Sequence, residues 1–334
     1  MKRPKIICLT PVKNEAWILD NFIKCASLWA DHIIISDQKS EDGSREIARK
    51  YPKVILVDNS HDFFSEEVRQ KVLINEARKM VGAKILITLD ADEFLTANYM
   101  ESIEWDNIIN CKPGTVIKFK FVNLTPDFLH YWIPPFIMPW GYYDDGSKHY
   151  GSKIHSKRLP VPSDSKSLVL DDIKVMHFQY TDWERMESKH RWYQCWERIN
   201  NPKRSAIRIY RQYHHMYSIK REEIKIVPNE WFEGYLKKGI DLTKIIKDKV
   251  YYWDEIVLNY IEKYGKNFFS KESIWDIDWV QKVKEYGYKD LDEFKDPRNI
   301  FQKLLHWYLK KTQYYQDRVF IRGVDKILVD LLGM

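Results

Sequence analysis

The chain has 334 residues, 44% of them hydrophobic, enough for one large domain with an elaboration or for two domains. Its net charge of +6 suits anionic partners such as nucleotide diphosphates or acidic lipid surfaces. The excess is dispersed, without a basic arm or an RNA-binding motif, which argues against nucleic acid.

The four cysteines are widely spaced and form no CxxC pair, which argues against a zinc site and a disulfide framework. The N-terminal apolar run, Ile6 to Leu9, is too short for a signal peptide core, and no run approaches the roughly 18 apolar residues of a transmembrane helix. A soluble, cytoplasmic protein is expected, with a peripheral seat at the inner face of a membrane as an addition.

Lys5 to Thr10, closed by Pro11, reads as the first strand. A helix follows from near Asn14 or Glu15, with Trp17, Ile18, Phe22, Cys25 and Leu28 at helical spacing and Asn14 as its expected N-cap. His32 to Ser36 reads as a second buried strand, Ser44 to Tyr51 as a helix and Lys53 to Val57 as a third strand. Ser65 to Val81 reads as a longer helix, and Ile85 to Leu89 as a strand buried on both faces. This alternation predicts a mostly parallel α/β sheet flanked by helices, and such sheets bind ligands outside the carboxyl ends of their strands. Pro11 to Glu15, Asp37 to Ser44 and Asp90 to Glu93 all follow strand ends and converge on one rim. No GxGxxG follows the first strand and no GxxxxGK[ST] occurs, so the usual dinucleotide and P-loop designs are excluded.

Three carboxylates, Asp90, Asp92 and Glu93, crowd the end of the Ile85 to Leu89 strand with only Ala91 among them. Such a cluster resists desolvation unless a cation joins it. Oxygen ligands favour Mg²⁺ or Mn²⁺, ions that keep positions for substrate phosphates. A solvated acidic turn is the plainer alternative, and the buried strand and the motifs upstream weigh against it.

TPVKNEAWIL, Asp37 with the trailing Asp42, Gly43 and Ser44, and LDADEFL together resemble the nucleotide-sugar-binding half of family-2 glycosyltransferases of the GT-A fold. The resemblance covers about Ile6 to Leu95. One departure is that Gln38 to Ser40 separate Asp37 from the EDGS stretch. The resemblance implies that Pro11, Val12, Lys13, Asn14 and Glu15 line the base and ribose pocket, with Asp37 reaching the nucleoside. Backbone amides after the strand end and the Glu15 carboxylate are expected to bond base and sugar. Asn75 matches a helix asparagine common in the family. The resemblance further implies that Asp92 holds Mn²⁺ or Mg²⁺, with His177 as a second ligand, and that Asp90 and Ala91 face the ribose or metal-bound water. A core histidine held by backbone is the equal alternative for His177.

Beyond Leu95, Thr115 to Val122 alternates as a strand, and the aromatic, proline-rich Phe128 to Tyr143 reads as an irregular wall. Asp144 and Asp145 end that wall and are the candidates for the base that deprotonates an acceptor, with an ordinary turn as the alternative. Lys153 to Leu159 and Ser167 to Val175 read as strands, the latter leading through His177 to a polar helix. On that helix Lys189, Arg191 and Tyr193 are candidates to clamp a diphosphate, against a solvated face. Lys153 and Arg158 carry the same two readings, with the solvated one ahead of the diphosphate clamp.

The expected division is a catalytic domain over 1–215, with a nucleotide-sugar half over 1–100 and an acceptor half over 101–215, and a helical region over 216–334. That helical region is amphipathic and basic, which suits packing or homodimerisation first and membrane contact second. The activity implied is metal-dependent hexosyl transfer from a UDP- or GDP-sugar to a glycan or lipid-linked acceptor, with inversion, in surface-polysaccharide or glycoconjugate synthesis. The alternatives are a metal-dependent phosphohydrolase and a non-catalytic nucleotide-binding subunit of a polysaccharide assembly.

Overall fold

In Lys5–Val12 (β1), Ile6 and Cys8 pack on one side and Ile7 and Leu9 on the other. A strand with no polar face needs cover on both sides, which puts it inside a sheet. The protein is described by a computed structural model covering residues 3–61, 63–247, 250–286 and 291–332. After β1 come Ala16–Trp29 (α1), His32–Asp37 (β2), Ser44–Arg49 (α2), Val54–Asp58 (β3), Glu66–Arg78 (α3) and Lys84–Thr88 (β4). Next are Glu93–Leu95 (β5), Ile103–Ile109 (α4), Val116–Leu124 (β6), His130–Trp132 (β7), Ile137–Tyr143 (β8) and Ser167–His177 (β9). The remainder comprises Trp183–Asn200 (α5), Ala206–Tyr213 (α6), Lys225–Ile226 (β10), Glu230–Leu236 (α7), Tyr252–Tyr264 (α8), Trp279–Glu285 (α9), Ile300–Thr312 (α10) and Val319–Leu332 (α11).

Packing divides the chain into two compact units, Met1–Thr181 with Lys225–Lys247, and Asp182–Ile224 with Asp248–Met334. The division falls at other residues than the expected 215. Trp231, Tyr235, Ile240 and Leu242 belong to the core of the first unit, while α5 packs on α8 in the second.

The first unit is a mixed sheet. β3, β2, β1 and β4 lie side by side and parallel, and β8, β6, β7 and β10 continue beyond β4 in antiparallel pairs. α1 covers one face with Trp17, Ile18, Phe22 and Cys25, as their spacing predicts, although Leu28 is exposed. α3 covers the other with Leu73, Ile74 and Ala77. β9 pairs with β6 in parallel and with β5 antiparallel, setting Glu93 opposite His177.

Three local expectations are corrected. Phe128 to Tyr143 is no irregular wall, because β7 and β8 lie within it. Proline removes a ladder donor and is tolerated in strands at irregular positions, and Pro139 sits opposite Lys118 where the β6–β8 register shifts. Lys153 to Leu159 is not a strand. Its backbone instead serves the start of α3: Glu66 and Glu67 donate their amides to the carbonyls of Lys153 and Ser152, and the Ser156 amide donates to Glu66 Oε2. Asn14 does not cap α1, since Glu15 takes that place and Asn14 has a left-handed φ of 54°.

The second unit is helical among its described residues. Two of its buried arginines are paired, Arg198 with Glu272 at 2.6 Å and Arg191 with Asp254 at 3.2 Å. Leu305 and Leu309 of α10 pack with Ile207 and Tyr210 of α6. Among the described residues no helix is long and apolar enough to cross a membrane.

Candidate active site

The rim at the carboxyl ends of β1, β2 and β4 is fixed first by one loop. The amides of Asn14, Glu15 and Ala16 donate to Ser40 Oγ, Ser44 Oγ and Asp42 Oδ2, at 2.9, 2.9 and 2.8 Å. Glu41 in turn donates its amide to Asn14 Oδ1 at 2.9 Å. A helix start leaves orphan amides, and here side chains of the Ser40–Ser44 stretch take them. The amides expected to bond base and sugar are therefore occupied. The Glu15 carboxylate accepts from Trp17 Nε1 at 2.7 Å. Lys13 donates from Nζ to the Gln38 carbonyl at 3.0 Å.

Asp37, buried at the end of β2, accepts from Arg45 Nη1 at 2.7 Å and from the Ser40 amide at 3.2 Å. Both contacts use Oδ1, and the buried Oδ2 has no hydrogen-bond partner among the described residues. Gln38, one of the residues inserted in the expected motif, ties the loop down by donating to the carbonyls of His61 and Phe63, each at 3.0 Å.

The three carboxylates after β4 have three different environments. Glu93 is 1% exposed and accepts from the Asp90 amide at 3.0 Å, from Trp140 Nε1 at 3.1 Å and from both terminal nitrogens of Arg158. Arg158 Nη2 also reaches Asp90 Oδ2 at 2.8 Å. Partial desolvation raises the Asp90 carboxyl above the usual carboxylate range, with the like charges of Glu93 and Asp92 adding to it and Arg158 opposing it, although 40% of the side chain stays exposed. Arg158 is thus a half-buried counter-ion, where the sequence suggested a solvated cation.

Asp92 faces elsewhere. Its carbonyl accepts from the Phe178 amide at 2.8 Å, and its Oδ2 lies 3.6 Å from His177 Nε2. His177 Nδ1 is 2.9 Å from Asn123 Oδ1. An amide oxygen there makes Nδ1 a donor and turns Nε2 toward Asp92. His177 also packs on Phe121, with ring centroids 4.8 Å apart, and Phe121 stacks on Trp140 at 4.9 Å.

A carboxylate and an imidazole oriented by a second residue fit a divalent cation that draws its other ligands from phosphates and water. Among the described residues no group of three or more His, Cys, Asp or Glu side chains is placed to hold a metal by protein ligands alone.

A cleft of about 30 Å³ beside Asp90 is lined by Pro11, Glu66, Arg69, Gln70, Thr88 and Arg158. Buried Thr88 Oγ1 and Arg69 Nε have no hydrogen-bond partner among the described residues. A larger cavity, about 320 Å³, is formed by second-unit residues alone. Its wall is largely self-satisfied, with His190 Nδ1 on the Tyr213 carbonyl at 2.8 Å and Gln313 Nε2 donating to the His214 carbonyl at 3.0 Å. The cavity carries no part of the carboxylate chemistry, so volume alone does not identify the site.

Several expected site residues are placed otherwise. Asp144 bonds its amide to the Lys84 carbonyl and pairs with Arg78 at 2.7 Å, and Asp145 takes the Tyr142 hydroxyl and the Ser147 amide. They stand at the start of β4, six residues and roughly 20 Å from Asp90 along the strand direction. Both are removed as candidates for the base. Asn75 is exposed, because α3 runs away from the rim and residue 75 lies more than two turns along it. Lys189, Arg191 and Tyr193 belong to the second unit, where Lys189 lies over Trp253, Arg191 pairs with Asp254, and Tyr193 stacks on Tyr213.

The sequence reading missed Arg158 as a counter-ion, Arg69 and Gln70 as cleft residues, and Asn123 as the orienter of His177. Only Asn123 carried a signal, as a polar residue within the apolar run that closes β6.

Residues 8–103 match the model of glycosyl transferase family 2. The matched segment runs from β1 through the Asp90–Glu93 cluster to the start of α4, and the family commonly uses a divalent metal. Among solved structures, a 4-diphosphocytidyl-2C-methyl-D-erythritol synthase is similar at 13% identity and a TM-score of 0.26, over 36% of this chain and 61% of that one. This chain therefore spans less than two thirds of that protein, and so distant a likeness carries no argument. No curated protein matches the chain.

Proposed function

We propose that the first unit is a glycosyltransferase that moves a hexosyl group from a UDP- or GDP-sugar to a glycan or lipid-linked acceptor. The observation that carries this reading is the family-2 match that takes in the acid cluster, with His177 Nε2 3.6 Å from Asp92 Oδ2. Asp92 and His177 would hold Mn²⁺ or Mg²⁺, which when bound neutralises charge on the departing diphosphate. Asn123 keeps the His177 ring oriented, and the Phe121–Trp140 stack fixes the ring's other side.

Pro11, Val12 and Lys13 line the nucleoside side, and Asp37 Oδ2 accepts a base N–H. Asp90 and Ala91 face the ribose. In the transfer the sugar C1–O bond to the diphosphate breaks, a bond from the acceptor oxygen to C1 forms, and the hydroxyl proton leaves to a base. Displacement from the opposite face gives inversion, and the setting is surface-polysaccharide or glycoconjugate synthesis.

Calorimetric titration of UDP, GDP, dTDP and CMP, each with and without Mn²⁺, tests this reading on the wild type and on Asp92→Ala. One diphosphate is expected to bind with the ion and to lose at least about tenfold in affinity in the variant. Binding that ignores the ion or survives Asp92→Ala overturns the metal assignment. Absence of binding by every nucleotide overturns the transfer reading.

A further inference from the structure

α10 has two apolar faces. Leu305 and Leu309 point into the second unit, while Ile300, Leu304 and Trp307 stand 64%, 55% and 61% exposed. Spacings of four and three residues put these three on one line along the helix, nearly opposite the buried pair. Phe301, on the flank of that line, is also exposed. A surface helix ordinarily turns charged residues away from its core face. Single exposed apolar residues are common, but a stripe of them on one helix marks an interaction surface.

The charge of the helix is one-sided too. Ile300–Thr312 contains no Asp or Glu, and Lys303, Lys310 and Lys311 are exposed. Lys303 approaches Asp296 at 3.9 Å, so Lys310 and Lys311 are the cations offered outward. A second copy docked through the same helix would offer these lysines no carboxylate, since α10 carries none. An acidic bilayer surface meets them with opposite charge, and tryptophan favours the depth at which headgroups give way to acyl chains.

We infer that α10 is an in-plane membrane anchor. Its Ile300, Leu304 and Trp307 stripe enters the headgroup–acyl boundary of an anionic bilayer, with Lys310 and Lys311 on the lipid headgroups. This inference does not depend on the transfer reading.

The test is flotation of the full chain with vesicles of phosphatidylcholine alone or mixed with phosphatidylglycerol. The wild type is expected to float with the mixed vesicles. Leu304→Glu combined with Trp307→Glu is expected to lose about tenfold or more in partitioning, because two apolar side chains are withdrawn. Lys310→Gln with Lys311→Gln is expected to lose about fivefold per lysine. Circular dichroism should be unchanged in both variants, since all four positions are exposed, and nucleotide binding measured on the same samples separates a failed anchor from a failed transferase. No flotation, flotation equal on both vesicle types, or flotation undiminished by Leu304→Glu with Trp307→Glu overturns the inference. A concentration-dependent dimer abolished by that pair without vesicle binding also overturns it and assigns the stripe to a second copy.

Discussion

At the end of β4, Asp90 and Glu93 share one guanidinium, and their burial decides what its loss would do. The Glu93 side chain is 2% exposed and the Arg158 side chain 16%, whereas Asp90 keeps 40%. Removing Arg158 leaves Glu93 as an uncompensated buried charge, and breaking such a pair typically costs about 3 kcal/mol or more. Arg158→Ala is therefore expected to lower the urea midpoint by an amount equivalent to about 3 kcal/mol, with Arg158→Lys intermediate because it keeps charge but not the fork. Equal midpoints for wild type and Arg158→Ala would show that solvent reaches Glu93 and that the pair is not structural. Only half of this arrangement was legible beforehand. The carboxylates announced themselves as a cluster adjacent in sequence, while their counter-ion lies 65 residues beyond Glu93 in a segment whose pattern suggested a solvated strand.

At the scale of elements, the parallel part of the sheet was readable because each strand is apolar on both faces and each helix carries its stripe at regular spacing. β8 was hidden by Pro139 and Gly141, which mark a loop by composition and are tolerated here by a register shift between β6 and β8. In the second unit, the packing of α5 against α6 makes a prediction about pH. His214 stacks on Tyr210 with centroids 3.8 Å apart, and burial lowers its pKa to about 4. Burial likewise holds His190 well below the ordinary histidine range, beside the Tyr213 carbonyl. An unfolded histidine takes a proton near pH 6.5, whereas folded His214 takes one only near about 4. Its contribution is thus complete above 6.5 and is lost as pH falls from 6.5 through about 4. Thermal melts across that range should show a steeper fall in Tm for the wild type than for His214→Phe, which keeps a ring on Tyr210 but cannot titrate. Parallel curves would mean that His214 takes up its proton alike in the folded and unfolded states.

For the molecule as a whole, chain order and compactness disagree, which is why the expected boundary at 215 misses the division. The first unit reaches Thr181 and then takes up Lys225–Lys247, where the Tyr235 hydroxyl donates to the Leu95 carbonyl at 2.8 Å and Trp231 packs on Tyr131 with centroids 4.7 Å apart. Periodicity identifies α7 as a helix but gives no sign of which core it serves, because a seven-residue helix has one apolar face and two units compete for it. Trp231 is buried, and truncating a buried tryptophan typically costs about 3–5 kcal/mol. Trp231→Ala should therefore weaken nucleotide binding although it lies more than a hundred residues beyond the acid cluster, since it loosens the core beneath β5 and β7. The same logic predicts that a chain ending at residue 215, lacking Trp231, Tyr235, Ile240 and Leu242, fails to bind any nucleotide that the full chain binds. Calorimetry on both proteins, with circular dichroism as the fold check, distinguishes the outcomes. Full nucleotide affinity in the shortened chain would show that residues 1–215 are self-sufficient and that α7 is a later addition to a core already complete.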